Sequence, residues 1–108
     1  MSLVPKSLGF ITVSSPGTSV PLTTTNTPCK VLRLEPRQNA TTANVGNIYI
    51  GGKTLSKNTP STIYAVLSPE QVDGIEITGG QGGYFEDLAL WNIDADNASD
   101  GVLAGYQV

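Results

Sequence analysis

The sequence predicts an all-β protein: a single-domain antiparallel β-sandwich that is jelly-roll-like, or a small barrel. About seven or eight short segments rich in β-branched and aromatic residues follow one another at intervals of roughly ten residues, which is typical of such folds. Clusters of Gly, Pro, Asn and Asp separate these segments and are expected to form turns. No stretch longer than about ten residues has a helical hydrophobic period, and 108 residues suit one domain.

Three strands are expected in the first third of the chain, over residues 9–14, 19–23 and 29–35. Residues 15–18 have the composition of a turn between the first two strands. Pro21 removes a backbone hydrogen-bond donor, so the second strand should lie at a sheet edge. Residues 29–35 carry apolar side chains on both faces, as expected for a central strand, and Pro36 should end it.

The remaining strands are expected over residues 47–50, 62–67, 74–78 and 102–108. The loops between them are predicted at residues 37–45, at the glycine-rich residues 79–83, and at the turn-rich residues 94–101. Residues 85–93 fit neither period cleanly and are predicted to be extended, with one helical turn at Glu86 and Asp87. The chain is therefore expected to alternate short strands with polar loops.

Residues 1–8 are interpreted as an N-terminal arm that precedes a sandwich domain formed by residues 9–108. The sequence identifies no strand partner for the arm, and such a terminal segment is expected to be disordered when free. The arm places Leu3, Val4 and Leu8 around Pro5. These four residues are the predicted partner-binding site, because ordering the arm on a partner would bury their apolar side chains.

The charge composition limits the classes of partner. Only 14% of residues are charged, the net charge is -3 and the isoelectric point is about 4.6. Without a basic cluster, nucleic-acid binding has little electrostatic support, and no apolar run approaches the roughly 20 residues that span a bilayer. The first residues lack a basic region followed by an apolar one, so we expect no signal peptide and synthesis in a cytoplasm.

The residue types present predict a protein that is not an enzyme and holds no cofactor or metal. The chain has no His and a single Cys, so Cys29 has no imidazole partner to activate it and is expected to be a buried apolar residue in a strand. The acidic residues Glu86 and Asp87 are adjacent, and adjacent side chains face opposite ways on a strand. We therefore assign no catalytic residues.

Two loops resemble ligand-binding motifs, and both are interpreted as turns. Residues 51–54 end like a phosphate-binding loop, but the first glycine of that motif is displaced to Gly46 and a strand occupies the space between. In residues 94–101, Ala98 stands where a helical calcium loop requires an oxygen ligand, and Gln107 stands where that loop requires a bidentate Glu. A looser calcium turn is the alternative there to a solvated turn whose side chains cap local amides.

Five segments follow a pattern found in one group of proteins. They are Cys-Lys-Val-Leu-Arg-Leu at 29–34, Val-Gly-Asn-Ile-Tyr-Ile-Gly-Gly at 45–52, Leu-Ser-Pro-Glu at 67–70, Asp-Leu-Ala-Leu-Trp-Asn-Ile-Asp-Ala at 87–95 and Asp-Gly-Val-Leu-Ala-Gly-Tyr at 100–106. In this order they resemble small virion proteins of tailed bacteriophages, of the capsid decoration or cement type. The chain departs from that pattern between Pro69 and Glu70, where a glycine is missing, and in its additional loop at 79–83.

The resemblance implies a β-sandwich without catalytic residues that serves as a structural component of a virion. We expect a head decoration protein, assembled in the host bacterial cytoplasm, that binds the major capsid protein and stabilises the assembled capsid. A homotrimer is expected on the particle, because shells offer threefold and quasi-threefold sites and free sheet edges need covering. The alternative is a tail or spike module that binds a host receptor or glycan through an exposed Tyr or Trp.

Overall fold

The computed structural model of the protein describes residues 5–36, 44–69, 74–78 and 86–108. This part of the chain confirms the all-β prediction, since it contains ten strands, two short 3-10 turns and no α-helix. The strands are β1 (Pro5–Thr12), β2 (Val20–Pro21), β3 (Pro28–Cys29), β4 (Val31–Pro36), β5 (Ile48–Gly51), β6 (Ile63–Leu67), β7 (Ile75–Thr78), β8 (Glu86–Asp87), β9 (Asn92–Ala95) and β10 (Gly101–Gln107). The 3-10 turns span Pro60–Thr62 and Leu88–Leu90. In the described residues, no helix is long and apolar enough to cross a membrane.

Two four-stranded antiparallel sheets pack against each other as a β-sandwich. Sheet 1 has the order β1-β10-β4-β7, and sheet 2 has the order β2-β9-β5-β6. Strands β3 and β8 form a separate two-stranded ladder. Within the described chain, β5 and β6 are the only consecutive strands that pair with each other. The sandwich is thus held together mainly by pairings between residues that are distant in sequence.

The core lies between the sheets and follows from the alternation of side chains along each strand. Leu32 and Leu34 of β4 are fully buried, whereas Arg33 between them is exposed. Among the described residues, the core cluster consists of Val13, Leu22, Cys29, Leu32, Leu34, Ile48, Ile50, Leu67, Ile77, Leu88, Ile93, Ala95, Val102 and Ala104. Each large aliphatic side chain contributes about 1.5–3 kcal/mol when it is fully buried.

Several strand positions predicted from the hydrophobic pattern are confirmed. β4 is central in sheet 1, between β10 and β7, and β2 with its Pro21 lies at an edge of sheet 2. β5 and β6 form the predicted hairpin, and residues 52–54 begin its connecting loop. Cys29 is buried, as expected. The predicted loop at 79–83 and most of the loop at 37–45 lie outside the described residues.

The helical turn predicted at Glu86 and Asp87 lies slightly further along the chain. Both residues are extended and pair with β3, and the 3-10 turn follows at Leu88–Leu90. The Asp87 carboxylate accepts a hydrogen bond from the backbone N–H of Ala89 at 3.0 Å. Because aspartate is a preferred cap before a helical turn, the acidic residues mark the start of this turn and not its body.

The predicted N-terminal arm is part of the sandwich from residue 5 onward. Strand β1 begins at Pro5, which lies opposite Gln107 of β10. Leu8 is partly buried and packs against the core. These contacts correct the expectation that the first eight residues lack a strand partner, because residues 5–8 belong to a paired strand. Leu3 and Val4 lie outside the described residues.

A β-bulge explains why the sequence pattern missed the start of β1. The register of β1 against β10 shifts between Ser7 and Gly9. Gly9 has a φ of 75°, which glycine adopts without the steric penalty that other residues incur. The extra residue interrupts the period of two by which a strand is identified from sequence. Only the segment from Gly9 onward therefore has a clear strand signal.

Strand β10 contains two glycines with different packing constraints. Gly101 pairs with Thr12, and a Cβ atom at Gly101 would overlap the backbone carbonyl oxygen of Ile11. A Cβ atom at Gly105 would meet its nearest atom, the carbonyl oxygen of Lys6, at 3.5 Å, which is an ordinary contact. Of the two glycines, Gly101 is the one required for the close approach of β1 to β10.

Gly101→Ala should therefore lower the free energy of unfolding by about 1–3 kcal/mol, the usual penalty for overpacking. Gly105→Ala is the matched control on the same strand and should change that free energy by less than about 0.5 kcal/mol. Urea unfolding followed by the fluorescence of Trp91 measures both variants. Equal unfolding midpoints for the two variants would contradict the packing assigned to Gly101.

Candidate functional site

The outer face of sheet 1 is the first candidate binding surface. Two rows of paired residues cross this face from β1 through β10 to β4. One row is Phe10–Leu103–Glu35 and the other is Ser7–Gly105–Arg33. Phe10 is 55% exposed and Leu103 beside it is half-buried. An aromatic ring held on a strand and open to water is well suited to anchor a protein partner, because it buries a large area at a small entropic cost.

Two shallow depressions lie beside Gly105 on this face, where glycine presents no side chain. The larger has a volume of about 180 Å³ and is lined by Pro5, Val31 and Tyr106, among other residues. The smaller has a volume of about 140 Å³, and its lining includes Leu103. The smaller depression can therefore seat a side chain of a partner protein next to Leu103, which pairs with Phe10.

Charge on the outer face of sheet 1 is concentrated at Arg33. Its Nε donates to Glu35 Oε1 at 2.8 Å, and its Nη1 lies 3.8 Å from Glu76 Oε2. All three side chains are accessible to solvent, so such ion pairs contribute only about 0–1 kcal/mol each. With Lys6 beside the larger depression, positive and negative side chains balance on this face.

The structure brings one of the four predicted partner-binding residues onto this face. Pro5 is exposed and lines the larger depression, whereas Leu8 packs inward against the core. Leu3 and Val4 lie outside the described residues. The sequence pattern did not single out Phe10, because the bulge in β1 decides which face the ring occupies.

A second candidate surface, the β6 patch, consists of Tyr64, Val66 and Trp91 on sheet 2. Tyr64 and Val66 share the outer face of β6 and are 63% and 44% exposed. The rings of Tyr64 and Trp91 meet edge to face, with centroids 5.1 Å apart and an interplanar angle of 83°, a favourable geometry for an aromatic pair. Trp91 also packs against the core, so it positions Tyr64 while most of the Tyr64 ring stays in water.

The loop after β9 binds backbone amides of a distant segment through Asp100. The buried Asp100 carboxylate accepts hydrogen bonds from the N–H groups of Val45 at 3.0 Å and Gly46 at 2.8 Å. Asn44 accepts from the N–H of Gly101 at 2.9 Å and donates to its carbonyl oxygen at 2.8 Å. The chain before β5 is thereby fixed to the start of β10.

Asp94 makes similar contacts with the turn between β1 and β2. Its carboxylate is fully buried, and Oδ1 accepts from the N–H groups of Gly17 at 3.0 Å and Ala95 at 2.8 Å. These contacts correct the expectation of a solvated acidic turn, because Asp94 and Asp100 are both buried. Among the described residues, no group of three or more His, Cys, Asp or Glu side chains has an arrangement that could hold a metal ion.

Asp96 is the exposed acidic residue of the same loop. The Tyr49 hydroxyl donates to its carboxylate at 3.1 Å, and Lys57 Nζ lies 3.7 Å from Asp96 Oδ1. Desolvation, followed by the hydrogen bond to Asp96, raises the pKa of Tyr49 above its ordinary value of 10.0. The folded state therefore favours the neutral Tyr49 phenol. The contribution of this phenol to the free energy of unfolding is fully present below pH 10.0 and is lost as the pH rises through the raised pKa.

The fold and these surfaces define a small β-sandwich that presents apolar and aromatic side chains on the outside of both sheets. In comparisons with known proteins, no protein-family model, curated protein or solved structure matches the chain. The structural argument for a function therefore rests on the exposed apolar and aromatic residues of these two surfaces.

Replacing Asp100 with Asn should lower the free energy of unfolding by about 1.5–3 kcal/mol, because both carboxylate oxygens accept backbone N–H groups and an amide keeps only one acceptor. Asp96→Asn is the matched control, since it changes the net charge equally at an exposed position, and it should alter stability by less than about 0.5 kcal/mol. Urea denaturation at neutral pH compares the two. A neutral effect of Asp100→Asn would show that the carboxylate does not hold the loop.

Proposed function

We propose that this protein is a non-enzymatic structural component of a tailed-bacteriophage virion, a head decoration or cement protein that binds and stabilises the assembled capsid. Its proposed partner is the major capsid protein, and its proposed location is the virion, assembled in the host bacterial cytoplasm. The resemblance of residues 29–108 to small virion proteins supports this proposal. One structural observation carries it: Phe10 is exposed on β1, an edge strand of sheet 1, beside Leu103 on the outer face of that sheet.

The outer face of sheet 1 has the composition of a protein-binding surface. Phe10 and Leu103 form an apolar centre beside the smaller depression. Polar residues flank that centre: Ser7, Thr12 and Gln107 along β1 and β10, and the paired charges Glu35 and Arg33 on β4. An apolar centre with a polar rim is the usual organisation of a protein interface, and aromatic residues at such centres often carry much of the binding free energy.

The residues that precede β1 are proposed to add to this contact. β1 is an edge strand that begins at Pro5, so the chain enters the sheet beside the larger depression. Leu3 and Val4 come immediately before, and burying each on a partner contributes about 1.5–3 kcal/mol before entropy is subtracted. A homotrimer at threefold sites of the shell is the proposed arrangement on the particle.

Phe10→Ser should weaken binding to undecorated capsids by at least about tenfold, equivalent to about 1.4 kcal/mol, because it removes the apolar anchor. Val66→Ser is the matched control: Val66 is 44% exposed but lies on β6 of sheet 2, the other sheet of the sandwich. Co-sedimentation of the purified protein with capsids, and separately with tails, measures the binding. Normal capsid binding by Phe10→Ser, or binding to tails alone, would overturn the proposal.

Three further measurements test whether the protein attaches through apolar contacts, and whether it lies on the shell and not in a tail or at a vertex. Deletion of residues 2–4 should weaken binding without unfolding the protein, since it leaves β1 intact. Raising the salt concentration to molar levels should have little effect, because apolar contacts are not screened. Mass spectrometry of purified particles should give a copy number that matches the many sites of a shell. A copy number of only a few per particle would instead place the protein in a tail or at a vertex.

A tail or spike module that binds a host receptor or glycan is the second candidate function, and the Tyr64–Trp91 pair favours it. An exposed aromatic ring can stack on the apolar face of a sugar, and a rigid neighbour lowers the entropic penalty of holding the ring in place. Trp91 supplies such a neighbour, with its ring centroid 5.1 Å from that of Tyr64. This function would use sheet 2 and not the outer face of sheet 1.

If the protein binds glycans, Tyr64→Ala should abolish binding on a glycan array, because the exposed stacking ring is lost. Val45→Ala, at another exposed apolar position, should bind like the unmodified protein. If the unmodified protein binds no glycan, and if its binding to capsids requires Phe10, the results support the decoration function and contradict the glycan-binding function.

A further inference from the structure

Asp100 and Gly101 form a dipeptide whose side chain and backbone are able to react with each other. The backbone nitrogen of the glycine attacks the side-chain carboxyl carbon of the aspartate and closes a five-membered succinimide ring. The nitrogen loses its proton and the carboxyl group loses its hydroxyl, so water leaves and no oxidant or reductant is needed. Glycine favours this step because it has no Cβ atom to obstruct the approach. The sequence contains two such dipeptides, at residues 73–74 and 100–101.

The fold holds the attacking nitrogen of Gly101 through Asn44. The N–H of Gly101 donates to Asn44 Oδ1 at 2.9 Å, and the Gly101 carbonyl oxygen accepts from Asn44 Nδ2 at 2.8 Å. One buried amide side chain thus binds both backbone polar groups of the glycine. The proton that the reaction must remove from Gly101 is engaged in a hydrogen bond that is shielded from water.

The fold also holds the group that would be attacked. Asp100 is only 4% exposed, and its carboxylate accepts the N–H groups of Val45 at 3.0 Å and Gly46 at 2.8 Å. The carboxyl carbon cannot turn toward Gly101 without breaking these bonds. Breaking them in the closed structure would leave buried N–H groups without an acceptor, which is unfavourable.

The product of the reaction does not fit the folded chain. Water opens the succinimide at either carbonyl carbon, and one direction gives isoaspartate, in which the main chain runs through the former side chain and is one methylene group longer. Gly101 has no room for this displacement, because it pairs with Thr12 and even an added Cβ atom would overlap the carbonyl oxygen of Ile11. The modified chain therefore cannot restore the pairing of β1 with the start of β10.

We propose that Asp100–Gly101 is a modification site at which isoaspartate forms only when the segment before β5 separates from the start of β10, and that Asn44 protects this site in the folded chain. Opening of this region is reversible while the aspartate is intact and becomes irreversible once isoaspartate has formed. The lifetime of the folded protein is then limited by a chemical step. This holds whether or not the protein binds a capsid.

The first test compares the folded chain with the chain unfolded in urea, both at neutral pH in water enriched in heavy oxygen. Isoaspartate at position 100 should form at least about tenfold more slowly in the folded chain, because an ordered segment reacts only from its open form. Chymotryptic peptide mapping by mass spectrometry measures it, and residues 73–74 serve as the reference dipeptide in the unfolded sample. Each passage through the ring introduces one heavy oxygen. Equal rates in the two samples, or isoaspartate without heavy oxygen, would overturn the proposal.

The second test addresses the role of Asn44. Asn44→Ala should accelerate isoaspartate formation in the folded chain by about tenfold or more, because it removes both hydrogen bonds to Gly101. Asn92→Ala is the matched control: Asn44 and Asn92 are 7% and 8% exposed, but Asn92 donates to Ser19. The control should react like the unmodified chain, and all three chains should react equally in urea.

Equal acceleration by the two alanine variants would show that a general loss of stability, and not Asn44, controls the reaction. If Asn44→Ala does not fold, the comparison of the folded and unfolded states of the unmodified chain still decides whether the fold closes the site. Chains aged in urea and returned to buffer provide the remaining test. Those with isoaspartate at position 100 should stay unfolded or melt at a lower temperature, and native melting of these chains would contradict the irreversible step.

Discussion

The pairing of β10 between β1 and β4 is the constraint on which the rest of the structure depends. β10 joins the start of the described chain to its middle and is paired along both sides over most of its length. This double pairing requires the absence of a side chain at Gly101, where β1 approaches most closely. It directs Val102 and Ala104 into the core and Leu103 onto the outer face, so the core and the first candidate surface arise from the same register.

Buried carboxylates supplement strand pairing where the chain passes between the sheets. Asp94 holds the turn between β1 and β2, and Asp100 holds the segment before β5. The N–H groups of Gly17, Val45 and Gly46, which lie outside the strands, thereby find acceptors, and hydrogen bonds to a carboxylate are stronger than neutral ones. Two acidic residues of the loop predicted at 94–101 thus bind backbone N–H groups of segments distant in sequence.

The two candidate surfaces lie on opposite sheets, which allows them to act independently. The outer face of sheet 1 presents Phe10 and Leu103, with a depression beside Leu103, and is proposed to contact the capsid. The β6 patch on sheet 2, with its Tyr64–Trp91 ring pair, is the surface of the alternative glycan-binding function.

The sequence by itself determined the fold class, the central position of β4, the edge position of β2 and the burial of Cys29. These features depend on local properties: the period of two, β-branched composition and the missing N–H of proline. The start of β1 was not predictable, because the bulge next to Gly9 interrupts that period. Only the tertiary structure decided that Phe10 faces outward beside Leu103, that Tyr64 meets Trp91, and that Asp94 and Asp100 are buried. Each of these depends on the register between strands or loops far apart in sequence, and a shift of one residue would turn the side chains of a strand to its opposite face.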